Sequence, residues 1–204
     1  MEVIVDPTRD ESLIFELLDL KNEVADHESA TWFLRDLAVE QDATDNMVLE
    51  HSGTMELTEL TGLHYGNAPP PAMTAVGQLS ISKGKQGRGA ENIVQAYLAN
   101  IRQKNISTDV LITAYEPLLI NPLSERARTV GAGITVPAVQ SGCLPVQESL
   151  VVYCSLSEIA RTVGAGIAVP AEQSGCVPVQ EVFRQAVTSF KVHDWNFIGA
   201  GEGA

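Results

Sequence analysis

One 25-residue segment occurs twice in this chain, and that limits what the rest can fold into. Residues 124–148 (SERARTVGAGITVPAVQSGCLPVQE) return as residues 157–181 (SEIARTVGAGIAVPAEQSGCVPVQE), offset by 33 and differing at four positions. A period of 33 is that of ankyrin repeats, yet neither copy carries the ankyrin motif, and two copies are too few to stack into a solenoid. A unique fold offers one niche to one copy. The second copy runs straight into Val179, Val182, Phe183, Ala186, Val187 and Phe190, an apolar stripe at helical spacing. It is therefore expected to hold the native place, while the first copy, with Val151-Val152-Tyr153, is extruded or packs loosely. Both copies are dense in Gly, Ser and Pro, which favours loops. With 204 residues, one domain over residues 1–204 is expected.

Ahead of the repeat, residues 2–5 read as a short strand broken by Asp6-Pro7. Thr8-Arg9-Asp10-Glu11 has the S/T-x-x-E form of a capping box, which predicts a helix with Leu13, Ile14, Leu17 and Leu18 as its core stripe. A second helix is predicted over 29–41, with Phe33 and Leu37, and Leu34 and Ala38, as i,i+4 pairs. Residues 46–52 read as a strand. Residues 53–71, with the run Pro69-Pro70-Pro71, read as a stiff loop. Met73, Ala75, Gly77, Leu79 and Ile81 alternate as in a strand with one buried face. Ala90, Ile93, Val94, Tyr97, Leu98 and Ile101 then fall at offsets 0, 3, 4, 7, 8 and 11, which predicts a helix closed by Arg102, Lys104 and a left-handed Asn105. Residues 108–115, with Val110-Leu111-Ile112, read as a central strand covered on both faces, and Trp195 and Phe197 are expected to dock on the core. Such alternation gives an α/β or α+β layered domain.

The charge is located as well as large. The net charge is −13, and residues 1–60 hold 16 acids against three bases, Arg9, Lys21 and Arg35. Such a field repels phosphate backbones and anionic lipid and draws cationic protein surfaces, so a basic protein face is the expected partner, with no nucleic acid and no membrane. No 18-residue apolar run occurs, and the acidic start is the opposite of a signal or transit peptide, so cytosol or nucleus is expected. Cys143, Cys154 and Cys176 form no C-x-x-C pair and fit reduced thiols.

Few constellations point to covalent chemistry. The basic, Gly-rich loop from Lys83 to Gly89 could cradle an anion but lacks the G-x-x-x-x-G-K-[ST] spacing. Gly131-Ala132-Gly133 and its copy Gly164-Ala165-Gly166 lack a third glycine and a following helix. Ser141 and Ser174 have no base near in sequence, and His27, His51, His64 and His193 form no metal-binding pair. No cofactor and no metal are expected.

Four blocks resemble one family: EVIVDPTRDESLIFELLDL (2–20), ISKGKQGRGAENIVQAYLANIR (81–102), TDVLITAYEPLLINPLSE (108–125) and FRQAVTSFKVHDWNFIG (183–199). Together these some 75 residues are similar to the Ran guanine-nucleotide release factors, the Mog-type proteins, in a plant-like form. The resemblance implies an α+β fold, an antiparallel β-sheet between helices of PsbP-like type. It implies a protein that is no enzyme, needs no cofactor, binds the small GTPase Ran and promotes release of its guanine nucleotide. Support of nuclear protein import, in nucleus and cytoplasm, follows from the same likeness. The family's acidic P-D-x-Q-E-V contact is represented here by Glu2-Val3, and its amino-terminal block is not matched, so a sheet with fewer strands and an exposed apolar edge is expected. Glu2, Asp6, Asp10 and Glu11 are the expected partner-binding residues, with Glu11 also the capping partner and Asp6 also a turn former. Two rivals remain: a truncated, duplicated variant that no longer binds, and an anion-binding enzyme using Lys83, Lys85 and Arg88.

Overall fold

The computed structural model describes residues 1–6, 9–55, 72–81, 91–124, 167–168 and 177–190. Its frame is an antiparallel sheet of β1 (Glu2–Asp6), β2 (Glu11–Asp19), β3 (Val48–Met55), β4 (Ala72–Ile81), β5 (Asn92–Gln103), β6 (Thr108–Ile120) and the short β7 (Ile167–Ala168). The spatial order is β1-β2-β6-β5-β4-β3, and β7 pairs with the end of β6 at Leu119 and Ile120. Helix α1 (Ser29–Glu40) covers one face and helix α2 (Val179–Ser189) the other. The domain is α+β, an antiparallel sheet between helices, as expected.

Two predicted helices are strands. Residues 92–103 match a helical stripe only because both faces of a central strand are apolar, which puts apolar residues at almost every offset. Val94, Ala96 and Leu98 face α1, while Tyr97, Ala99 and Ile101 face α2. As a strand, β5 pairs with β4 on one side and β6 on the other, so its buried amides and carbonyls find partners along both edges. The left-handed residue that follows is Ser107, with φ of 50°, and not Asn105.

The capping box at residues 8–11 is likewise not used as one. Asp10 adopts φ of 54° in a turn, the Arg9 amide donates to Asp6 Oδ1 at 3.3 Å, and Asp6 pairs with Glu11 across a β1–β2 hairpin. Of the predicted helical stripe only Leu13 is fully buried, and Leu17 is 46% exposed. Pairing with β1 and β6 satisfies the β2 backbone on both edges and overrides the local helical signal.

β1, α1, β3, β4, β6 and α2 match their predicted types, while β7 falls in a segment expected to be loop. Under α1, Ala30, Phe33, Leu34 and Ala38 pack on Ala75, Leu79, Val94, Ala96 and Leu98, and Trp32 meets Phe33 edge to face at 5.0 Å. A Cβ on Gly77 would lie 2.8 Å from the Val48 carbonyl oxygen and 3.1 Å from Leu34 Cδ2, so glycine there lets β3 and α1 close on β4. Under α2, Val179, Phe183, Ala186 and Val187 pack on Ala99, Ile101, Val110 and Ile112. Phe183 meets Tyr97 at 5.9 Å and Phe190 stacks on Phe15 at 5.8 Å. The outer edge of the described sheet carries Val3, Ile4 and Val5, each 42–46% exposed.

A buried ion pair ties the sheet to the segment entering α1. Arg102 on β5 faces Asp109 on β6, with Nε donating to Oδ1 at 2.9 Å. Its other nitrogens donate to the Val24 carbonyl at 2.6 Å, the Lys21 carbonyl at 2.5 Å and Asp26 Oδ1 at 3.1 Å. Asp109 also accepts from the Lys21 amide at 2.9 Å and from Asn100 Nδ2 at 3.1 Å.

The interior of the repeat, residues 125–166 and 169–176, lies outside the described residues, as do 56–71, 82–90, all three cysteines, Trp195 and Phe197. Ile167 and Ala168 of the second copy form β7, and that copy ends in the first turn of α2.

Two outcomes follow. Arg102→Met leaves Asp109 buried without its counter-ion and should lower unfolding free energy by roughly 3–5 kcal/mol in urea titration; a loss under 1 kcal/mol would show the pair to be dispensable. Deleting residues 124–156 joins Leu123 to Ser157 and keeps one copy. By loop-closure entropy, halving the connector should leave the melting curve unchanged or raise stability by about 0.6 kcal/mol. Failure of that deletion to fold would show that the first copy holds native contacts.

Candidate partner interface

The β1–β2 hairpin places three of the four expected carboxylates on one face. Directly paired residues of an antiparallel sheet share a face, and Glu2 pairs with Phe15, whose ring stacks on Phe190 beside α2. Asp6 pairs with Glu11 in the same alternation. Glu2 is exposed, Asp6 is half-buried and the Glu11 side chain is 15% exposed.

Glu11 is the most perturbed of them. Arg9 reaches it at 2.6 Å, yet its carboxyl is pushed up to about 7, first by burial, against the pull of Arg9, and further by Glu116 and Asp6. Burial thus brings the titration of this carboxyl up toward the physiological range.

The acidic face continues across the sheet through residues that sequence reasoning missed. Glu116 on β6 accepts the Tyr97 hydroxyl at 2.9 Å, and Glu50 on β3 accepts Gln78 Nε2 at 2.6 Å and Gln95 Nε2 at 2.5 Å. Ionisation of Tyr97 is pushed well above the ordinary range by burial, then by Glu116, Glu50 and Glu11, which places these three acids around one phenol. The hydroxyl thus stays a donor. Nothing local in sequence links positions 11, 50 and 116. Only the register of β5 as a strand does, since it sets Gln95 opposite both Gln78 and Glu116.

Asp10 does not join this group. It is buried on the α1 side, where it lines a cavity with Glu16, Glu40 and Tyr115. Its place at a helix start disappears with the helix itself, and Glu11 is an ion-paired strand residue with no capping role. The anion-loop candidates Lys83, Lys85 and Arg88 lie outside the described residues. Among the described residues no group of three His, Cys, Asp or Glu is arranged to hold a metal ion. None of the helices described is long and apolar enough to cross a membrane. The face is suited to cations: Asp6, Glu11 and Glu116 are partly desolvated while Glu2 and Glu50 are exposed, and screening by salt weakens the partly desolvated groups less.

A sequence profile of the family described as Ran-interacting Mog1 protein matches residues 1–117, a span that contains Glu2, Asp6, Glu11, Glu50 and Glu116. The Danio rerio Ran guanine nucleotide release factor is 28% identical over 128 residues, covering 62% of this chain and 67% of the relative. Among solved structures, the Saccharomyces cerevisiae Ran-binding protein Mog1p is 22% identical over 53% of this chain, with a TM-score of 0.37. A point mutant of Mog1 is 21% identical over the same share, also with a TM-score of 0.37. The chain spans about half the length of these solved chains, 50% in each case. With the profile running over more than half of its length, the chain belongs to the Ran-interacting Mog1 family.

Proposed function

We propose that this chain binds the small GTPase Ran through the face formed by Glu2, Asp6 and Glu11, extended by Glu116 and Glu50, and promotes release of its guanine nucleotide. The observation that carries the reading is the convergence of these five carboxylates on one side of the sheet, within the span the family profile matches. Asp10 serves the proposal only through the turn that sets Asp6 against Glu11.

A GTPase holds its nucleotide with a phosphate-binding lysine and Mg²⁺. Carboxylates placed against the same positive groups compete with the phosphates and bind the nucleotide-free state better than the loaded one. That differential affinity is what release requires. The reaction changes no covalent bond and needs no cofactor. Action in nucleus and cytoplasm, in support of nuclear protein import, belongs to the same proposal.

Reversing Glu2 to Lys, with Glu116→Gln, should slow release of labelled guanine nucleotide from Ran by roughly 10-fold, because rim charges govern encounter and buried ones complex lifetime. Rates equal to wild type in a folded double variant would refute the assignment.

Glu11 adds a pH dependence. Its carboxyl titrates near 7 in the folded chain against about 4.5 in the unfolded one, so between those values the folded state binds the extra proton. Stability contributed by this group therefore falls as pH rises from about 4.5 to 7 and is level above that, a change of at most about 3 kcal/mol. Glu11→Gln should remove that slope from urea midpoints measured between pH 5 and pH 8; an unaltered slope would place the titration elsewhere. In the wild type, Ran binding should weaken over the fall from pH 8 to pH 6 as the face loses charge.

A further inference from the structure

On the opposite side of the sheet a cavity of about 260 Å³ opens between β2, β6 and the C-terminal end of α1. Its composition is unlike that of a purely apolar gap in packing. Ile14, Leu37 and Val94 supply apolar wall, while Asp10, Glu16 and Glu40 supply carboxylates. The helix adds to the negative field: Gln41, the C-cap of α1, lines the cavity, the carbonyl end of a helix carries partial negative charge, and no basic residue occupies the last turn.

A second observation is independent of the acids. Thr113 lies on the cavity wall, is only 2% exposed, and its Oγ1 has no hydrogen-bond partner. A buried hydroxyl without a partner costs free energy unless something else supplies one. Tyr115, two residues along the same face, is pushed up to about 12 by burial, then by Glu16 and Glu40, so the field of both carboxylates reaches the cavity interior.

We propose that this cavity binds the side chain of a lysine or arginine from a basic protein segment, at a site separate from the Glu2–Glu11 face. The aliphatic stem packs on Leu37, Ile14 and Val94, the cationic head meets Glu16 and Glu40, and an N–H of the head donates to Thr113 Oγ1. The volume is sufficient for one long side chain. Charge selects the class: three carboxylates and a helix C-terminus disfavour phosphate, carboxylate and nucleic acid. A polar group buried beside an apolar wall distinguishes a long cation from a simple metal ion or a hydrocarbon.

The test uses the full chain and two small probes, n-butylguanidinium and the neutral n-butanol, followed by amide chemical-shift changes. Butylguanidinium should shift the amides of Thr113, Tyr115 and Gln41 saturably, and n-butanol should not. Glu16→Gln with Glu40→Gln should weaken binding by five-fold or more while leaving nucleotide release from Ran unchanged, which separates this site from the other face. Equal response to both probes, or shifts centred on Glu2 and Glu116, would overturn the proposal. Thr113→Val, which keeps the shape and removes the hydroxyl, should weaken the probe as well; affinity equal to wild type would remove Thr113 from the site.

Discussion

The Arg102–Asp109 pair decides how the layers sit. It joins β5 to β6 at the end where the two strands connect, and the guanidinium also holds two carbonyls of the segment that leads from β2 to α1. Burying a charged pair is expensive, and here good geometry and added hydrogen bonds offset the cost: Asp109 also accepts from the Lys21 amide and from Asn100. Lys104 then reaches Asp26 at 2.6 Å at the exposed rim, a contact worth little by itself but continuous with the buried network. With that segment fixed, α1 can cover only one face of the sheet. The other face is left for α2 and, beyond its edge, for carboxylates.

That division gives the acid-rich first 60 residues two distinct outlets. Period-two alternation sends successive residues of the β1–β2 hairpin to opposite sides. Asp6 and Glu11 therefore go to the α2 side and Glu16 goes to the α1 side, although all three lie within eleven residues of sequence. A cluster in sequence is thus no cluster in space. Conversely, Glu116 is brought beside Glu11, and Glu50 to Gln95 on the same face, by the order β2-β6-β5-β4-β3, although these residues are far apart in the chain.

The legible and illegible parts of the sequence differ in the kind of signal they carry. β4 was readable because Ala75, Gly77, Leu79 and Ile81 alternate against polar neighbours, and α1 and α2 because each has one apolar stripe and one polar face. β5 was not, because a strand covered on both faces has no polar face to set its period, and its apolar residues satisfy a helical template as well as an extended one. β2 failed for a related reason: Leu13, Ile14, Leu17 and Leu18 fit a helix, and only the available edges of β1 and β6 decide otherwise. Glu2, Asp6 and Glu11 share a face because of hairpin register, which no local spacing in the sequence encodes. Local sequence gives Arg102 only as a charge near an element's end; its role as an anchor depends on a partner seven residues away that only strand pairing brings opposite.

Partial burial is what makes the hairpin face more than a diffuse negative surface. A fully exposed carboxylate is hydrated before and after contact with a cation, so the gain is small and salt removes much of it. Glu11 has already lost much of its water in forming the fold, which is the same cost that raises its titration to about 7. A cationic group docking there meets a carboxylate whose desolvation has been met by folding, and it also drives off the remaining proton. Binding and deprotonation are therefore linked: the partner stabilises the ionised form, and higher pH favours the partner. The neighbouring Tyr97 hydroxyl, held as a donor to Glu116, limits how many of the carboxylates can gather charge at one point without a partner. The face is stable alone because some of its charge is neutralised or hydrogen-bonded, and it gains most from a ligand that supplies positive charge at the place where Asp6, Glu11 and Glu116 repel one another.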